Sequence, residues 1–223
     1  MKNQDIIDRL RTELVSRYDV DPAEIRTVRS PYRICPLGAH VDHQLGPVTA
    51  MAIDRAVHLA FVPSRSSEVR LSSFAFAGEV AFSLDDIPDR IDHEWGNYAR
   101  GAASALLATR QLDSGILGVT AGSMGEGGLS SSAAISVAYL LALEDANGFR
   151  VTDEENIELD RVIENEYLGL RNGVLDQSAI LLSRQDQLTL LDCRTRKHER
   201  ISGSSKAIPI RYLLRSQAFG RLW

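Results

Sequence analysis

Met124-Gly125-Glu126-Gly127-Gly128-Leu129-Ser130-Ser131-Ser132-Ala133-Ala134 is the stretch on which the reading of this chain turns. Before it, Ile116 to Thr120 is short and partly β-branched and predicts a strand. After it, Ala133 to Leu143 predicts a buried helix that closes at Asn147-Gly148. The glycines and serines therefore lie on a turn that feeds a helix N-terminus. There the first backbone N–H groups lack intrahelical partners, and the helix dipole favours negative charge. Glycine lets backbone approach an anion closely, hydroxyls add contacts to it or to a metal beside it, and a phosphate suits such a place. One glycine and one serine would signify only a capped turn. Gly125, Gly127 and Gly128 followed by Ser130, Ser131 and Ser132 favour the phosphate.

Two familiar phosphate loops do not fit. A Walker A loop ends in Gly-Lys-Ser/Thr, and no lysine lies between Lys2 and Lys197. The glycine spacing also departs from the G-x-G-x-x-G of dinucleotide-binding folds. Composition narrows the field further. The 223 residues allow one large domain or two small ones, and 44% hydrophobic content is enough for a sizeable core. A net charge of −5 offers no basic field, which speaks against a nucleic-acid partner. No apolar run approaches the ~18 residues of a membrane span, so no membrane association is expected. The polar N-terminus shows no secretory signal, and Cys35 and Cys193 suit neither a disulfide framework nor a zinc site, so the cytoplasm is expected. Nothing speaks to the oligomeric state.

Outward from the loop, Gln4 to Arg17 carries a helical stripe of Ile6, Ile7, Leu10, Leu14 and Val15. Ile25 to Arg29 predicts a strand closed by Ser30-Pro31, and Tyr32 to Pro47 an irregular segment. Ala56 to Val62, Glu68 to Ser72, Glu79 to Leu84, Gln187 to Asp192 and Ile208 to Leu214 predict strands. Helices are expected over Trp95 to Arg110, from Thr152 (as cap, with Glu155 completing a capping box) to about Tyr167, and over Gly173 to Ser183. Strands and helices alternate without a strict βαβ period, so the expected class is α+β. The tail after Leu214 loses all pattern, which fits a chain cut short as well as a natural end.

Two further stretches carry chemistry. Tyr32 to Gly46 is polar and punctuated by proline and glycine. It contains His40 and Asp42, which serve either as a satisfied pair in a loop or as short, rigid partners for vicinal sugar hydroxyls. In Glu164 to Gln177, Asp176 sits among Val174, Leu175, Ala179, Ile180 and Leu181. A carboxylate on so apolar a helix is either favoured by a helix N-terminus near Gly173 or held by a function.

Together the three stretches resemble the signatures of the GHMP kinases, and of their galactokinase branch in particular. The glycine-rich turn is similar to that family's second motif. Arg33, Gly38, His40, Asp42 and Gly46 match its first signature by position, with Pro36, His43 and Ala39 as departures, the last replacing a glutamate. Glu164, Gly169, Gly173, Asp176 and Gln177 match a third arrangement. The runs Ser30 to His40, Gly128 to Ala134 and Gly169 to Gln177 are most similar to plant-type galacturonokinases.

That resemblance implies a ribosomal-S5-like two-layer β/α domain over residues 1–200, with 201–223 the truncated start of a C-terminal region. It implies ATP-dependent phosphorylation of D-galacturonic acid at C1. Gly125, Gly127, Gly128, Leu129, Ser130, Ser131, Ser132 and Ala133 would hold ATP, and Ser132 and Glu164 would hold Mg²⁺. Asp176 would be the base and Arg33 its orienting partner. Ala39, His40, Asp42 and Gly173 would face the sugar, and Arg171 or His43 would meet its carboxylate. A galactokinase for neutral galactose and a non-catalytic sugar- and ATP-binding sensor stay open as alternatives.

Overall fold

Apolar side chains alternate along a 17-residue strand, β2 (Pro47–Pro63), around which the sheet is built. Val57, Leu59 and Phe61 point to one face, and Ala60 and Val62 to the other. In this computed structural model, which describes residues 3–123 and 129–203, six more strands join it. They are β1 (Arg26–Leu37), β3 (Glu68–Ser73), β4 (Glu79–Ser83), β5 (Ile116–Gly122), β6 (Gln187–Asp192) and β7 (His198–Ser202). Their order is β4-β3-β5-β2-β6-β7, with β1 paired to β2 off that path. Thr49 faces both Leu37 and Leu190, and Val57 faces both Ser30 and Gly122. Thus β1 runs along one edge of β2 while β5 and β6 share the other. All pairs are antiparallel except β3–β5.

The helices α2 (Asn97–Leu107), α3 (Ser131–Ala146), α4 (Asp153–Val162, continued by a π-turn at Ile163–Tyr167) and α5 (Leu175–Leu182) complete the main fold. Their Ala102, Leu106, Val137, Leu140, Ile163 and Ile180 share the core of Val57, Leu59 and Phe61. This is the expected α+β class with helices layered on a sheet. On the opposite face, α1 (Asn3–Tyr18) seals Ala60, Val62, Val119 and Ala121 with Ile6, Leu10 and Leu14, adding a partial third layer.

Several boundaries differ from those expected. The strand ending at Ser30-Pro31 continues to Leu37, with register shifts between Pro31 and Arg33 and between Ile34 and Leu37. Prolines cannot donate to a ladder, but an edge strand and its bulges tolerate them. The irregular segment is thereby reduced to residues 38–46. β2 begins nine residues earlier than expected, and β7 was not expected at all. The helix placed at Trp95 starts at Asn97, whose side chain bonds both the N–H and the C=O of Ile91 and fixes the preceding turn. Thr152 caps α4 by accepting from Glu155 N–H at 3.1 Å, while the Glu155 carboxylate accepts from Arg110. The strand placed at Ile208 to Leu214 lies outside the described residues, as does the region from 204 onward.

Candidate active site

Four segments converge where β1 ends and α3 and α5 begin. Gly38 allows the chain to leave β1, since it adopts φ +88° and a Cβ there would lie 2.8 Å from the carbonyl of Pro47. The loop that follows carries Ala39, His40 and Asp42, and turns back through Leu45 N–H to Asp42 C=O at 2.9 Å. Arg33 lies on β1 itself. Its N–H donates to the Leu129 carbonyl at 3.3 Å, which stitches the end of the glycine-rich stretch to the strand.

The Arg33 side chain reaches Asp176 in the first turn of α5, with Nε donating to Oδ1 at 2.6 Å. Both side chains are about four-fifths buried, at 17% and 20% exposure, so this charge-assisted bond is well shielded. The N-terminus of α5 has no side-chain cap of its own. Asp42 supplies one from the loop: its Oδ2 accepts Leu175 N–H at 3.3 Å. Expected either to pair with His40 in a loop or to meet ring hydroxyls, Asp42 sets the start of the helix that carries Asp176. Gly173 makes that approach possible, because a Cβ there would lie 2.2 Å from Asp42 Oδ2. Arg33, Ala39, His40, Asp42, Leu129, Gly173 and Asp176 all border one cleft of about 520 Å³, with Arg171 and His43.

Beside the cleft, α3 begins at Ser131 after Ser130, which holds a left-handed φ of 61°. Non-glycine residues in that region mark places where the surroundings impose the conformation. The Ser130 hydroxyl is buried without a hydrogen-bond partner among the described residues and does not cap the helix. The first N–H groups of α3 are therefore left without a cap from Ser130. Gly125, Gly127 and Gly128 lie outside the described residues. Ala133 is buried within α3.

Glu164 is fully buried, and burial pushes its carboxyl above the usual carboxylate range. The Asn172 amide, which donates to Oε2 at 3.1 Å, and the Ser132 hydroxyl oppose that rise. Glu164 Oε1 has no hydrogen-bond partner among the described residues. An orphaned carboxylate oxygen beside a serine hydroxyl fits a hard cation that prefers oxygen ligands. One turn earlier, Asp160 is also fully buried, and neither carboxylate oxygen has a hydrogen-bond partner among the described residues. Its carboxyl is driven well upward by burial and by the charges of Glu164 and Asp176, with Ser136 opposing. Sequence reasoning missed Asp160, although its i, i+4 spacing to Glu164 is legible.

Also missed was a second cavity, of about 160 Å³, bordered by Ser131 and Ser132 and walled by Tyr32, Phe76, Trp95, Tyr98, Ile135 and Tyr139. Phe76 and Trp95 stack with centroids 6.1 Å apart and planes 15° from parallel. Aromatics scattered over β1, α2, α3 and the loops before β4 and α2 carry no motif, so only the folded chain assembles them. The chain thus presents a polar cleft and an aromatic slot on either side of one helix N-terminus.

Residues 97–184 match the GHMP kinases N terminal domain. The chain carries a GHMP-kinase N-terminal domain. Galacturonokinase of Arabidopsis thaliana is 51% identical over 213 residues, covering 87% of this chain and 50% of that protein. Galactokinase of Roseiflexus sp. is 35% identical over 186 residues, covering 83% and 47% respectively. Among solved structures, Lactococcus lactis galactokinase complexed with galactose superposes with a TM-score of 0.84 at 28% identity, over 88% of this chain and 52% of that one. The chain spans about half the length of these relatives. Among its described residues, no helix is long and apolar enough to cross a membrane.

Proposed function

We propose that this chain supplies the ATP- and sugar-binding half of a cytoplasmic sugar-1-kinase whose substrate is D-galacturonic acid. The observation that carries this reading is the shielded Arg33–Asp176 pair, 2.6 Å apart, at the border of a polar cleft beside the N-terminus of α3. Phosphoryl transfer is mostly positioning and charge neutralisation, and the residues divide along those lines. Asp176 accepts the proton of the C1 hydroxyl as that oxygen bonds to the γ-phosphorus of ATP and the bond to the β–γ bridging oxygen breaks, releasing ADP. Arg33 fixes the Asp176 carboxylate and offsets charge developing at the transferred group.

The N-terminus of α3 faces the triphosphate, and the slot between Trp95, Phe76 and Tyr98 accepts the flat base. Ser132 and Glu164 would hold Mg²⁺, which supplies neutralisation of phosphate charge when bound. His40 and Asp42 face ring hydroxyls, and Gly173 leaves room for them. Ala39 supports the acidic sugar, since a carboxylate at that position would repel the sugar's own. The 51% identity to a galacturonokinase supports the same choice.

The test uses a polypeptide of the relatives' full length, in which this chain is the N-terminal half. With MgATP and galacturonate, mass spectrometry is expected to find the 1-phosphate. Asp176→Asn is expected to lower turnover by the ~10²–10⁴-fold ascribed to general acid–base catalysis, with ATP affinity retained. Preference for galactose would replace the acidic substrate by the neutral one. ATP and sugar binding without any turnover would leave a sensor.

A further inference from the structure

We propose that Arg171 is the residue that reads the carboxylate of the acidic sugar, an inference that rests on the sugar-kinase reading above. Four side chains able to carry positive charge border the sugar cleft: Arg33, His40, His43 and Arg171. Arg33 is committed to Asp176 at 2.6 Å. The ring of His43 leans toward Asp42, 3.7 Å from Oδ1. An imidazole carries its charge only when protonated, whereas a guanidinium is charged at every accessible pH. Arg171 makes no hydrogen bond or ion pair through its guanidinium among the described residues.

Its backbone, by contrast, is anchored on both sides. Leu170 N–H donates to the Glu164 carbonyl at 2.8 Å. Asn172 N–H donates to Asn165 Oδ1 at 2.9 Å, and Asn165 Nδ2 donates to the Asn172 carbonyl at 3.1 Å. The Arg171 stem therefore leaves from a fixed point while its five donors are left for a ligand. A planar guanidinium matches a carboxylate through two parallel bonds.

The acids of the cleft do not compete for it. Asp176 holds Arg33, and Asp42 accepts from Leu175 N–H. Ala39 adds no charge. Arg171 also borders an adjoining cavity of about 500 Å³ together with Arg161 and Arg196. Both of those turn to Glu158. Of the four arginines that border these two cavities, Arg171 is the one that makes no ion pair among the described residues.

Steady-state kinetics on the full-length polypeptide test this with galacturonate, its neutral methyl ester and galactose. The unmutated enzyme is expected to prefer the free acid to the ester. Arg171→Met is expected to raise KM for galacturonate at least tenfold, change kcat by less than threefold, and leave KM for galactose and the ester within twofold. Arg171→Lys, which keeps the charge but loses the fork, is expected to fall between. A merely structural role would move all three sugars together, along with the melting temperature. If the unmutated enzyme does not prefer galacturonate, the acidic-substrate reading fails and takes this inference with it. If it does prefer galacturonate and Arg171→Met still does so by the same ratio, only the role of Arg171 is overturned. A larger loss of preference in His43→Gln than in Arg171→Met would overturn it equally.

Discussion

Gly173→Ala is the substitution for which the geometry gives the sharpest expectation. The added methyl would lie 2.2 Å from Asp42 Oδ2, 2.5 Å from its Cγ and 2.8 Å from the backbone nitrogen of His43. Contacts under 3 Å cannot persist, so something shifts. The Asp42 carboxylate can rotate away only by releasing Leu175 N–H, its 3.3 Å partner, and losing a helix cap costs about 0.5–2 kcal/mol. The His43 nitrogen is main chain and moves only with the loop, and overpacking of that kind costs about 1–3 kcal/mol. The two add to about 1.5–5 kcal/mol, and the start of α5 shifts with them, carrying Asp176 away from Arg33. Denaturant unfolding of the chain measures the loss. A double-mutant cycle with Asp42→Ala isolates the mechanism: two of the three close contacts vanish, so Gly173→Ala should cost at least about 1 kcal/mol less in that background. A Gly173→Ala variant within about 0.5 kcal/mol of the parent, or purely additive costs, would refute the close approach as the reason for glycine.

Glu164→Gln replaces a charged oxygen ligand by a neutral one and is expected to weaken MgATP binding about tenfold in calorimetry while leaving metal-free nucleotide affinity unchanged; equal MgATP affinity would remove Glu164 from the metal site. Ala39→Glu places a second carboxylate within a few ångströms of the sugar's own, worth up to ~4 kcal/mol at an effective dielectric of ~20. The galacturonate-to-galactose preference is expected to move toward galactose by at least about tenfold, and an unmoved ratio would reduce Ala39 to loop packing. Glu144 is fully buried and accepts Val151 N–H at 3.2 Å, and burial raises its carboxyl. The folded chain therefore keeps this proton to higher pH than the unfolded chain, and stability falls as pH climbs above the ordinary carboxylate value of ~4.3. Glu144→Gln is expected to raise the melting temperature by about 2–4 °C at pH 8 and not at pH 4, and a gain independent of pH would show that ionisation is not the cause.

Local periodicity was enough for much of the architecture. The stripe of Ile6, Leu10 and Leu14 predicts α1, alternation through Val69, Leu71, Val80 and Phe82 predicts β3 and β4, and Thr152 marks the start of α4, because these signals act within one turn or one pleat. Glycine and serine density at Gly125 to Ser132 predicts a phosphate-binding turn for the same reason, and the motifs carrying Arg33, Asp42, Glu164 and Asp176 are readable as strings. Tertiary structure alone decided how those strings meet. The continuation of β1 through Pro31 depends on its lying at a sheet edge, which no local window contains. The capping of α5 by Asp42 spans 133 residues, and the Arg33–Asp176 bond spans 143. Partners so distant are chosen by the packing of sheet on helices, not by sequence spacing. The aromatic slot drew Tyr32, Phe76 and the pair Trp95 and Tyr98 from three distant segments, each of which reads alone as ordinary core. Burial, too, is a property of the fold: nothing local in the sequence shows that Asp160 and Glu164 are fully buried, Asp160 beside Ser136 and Glu164 beside Ser132 of α3.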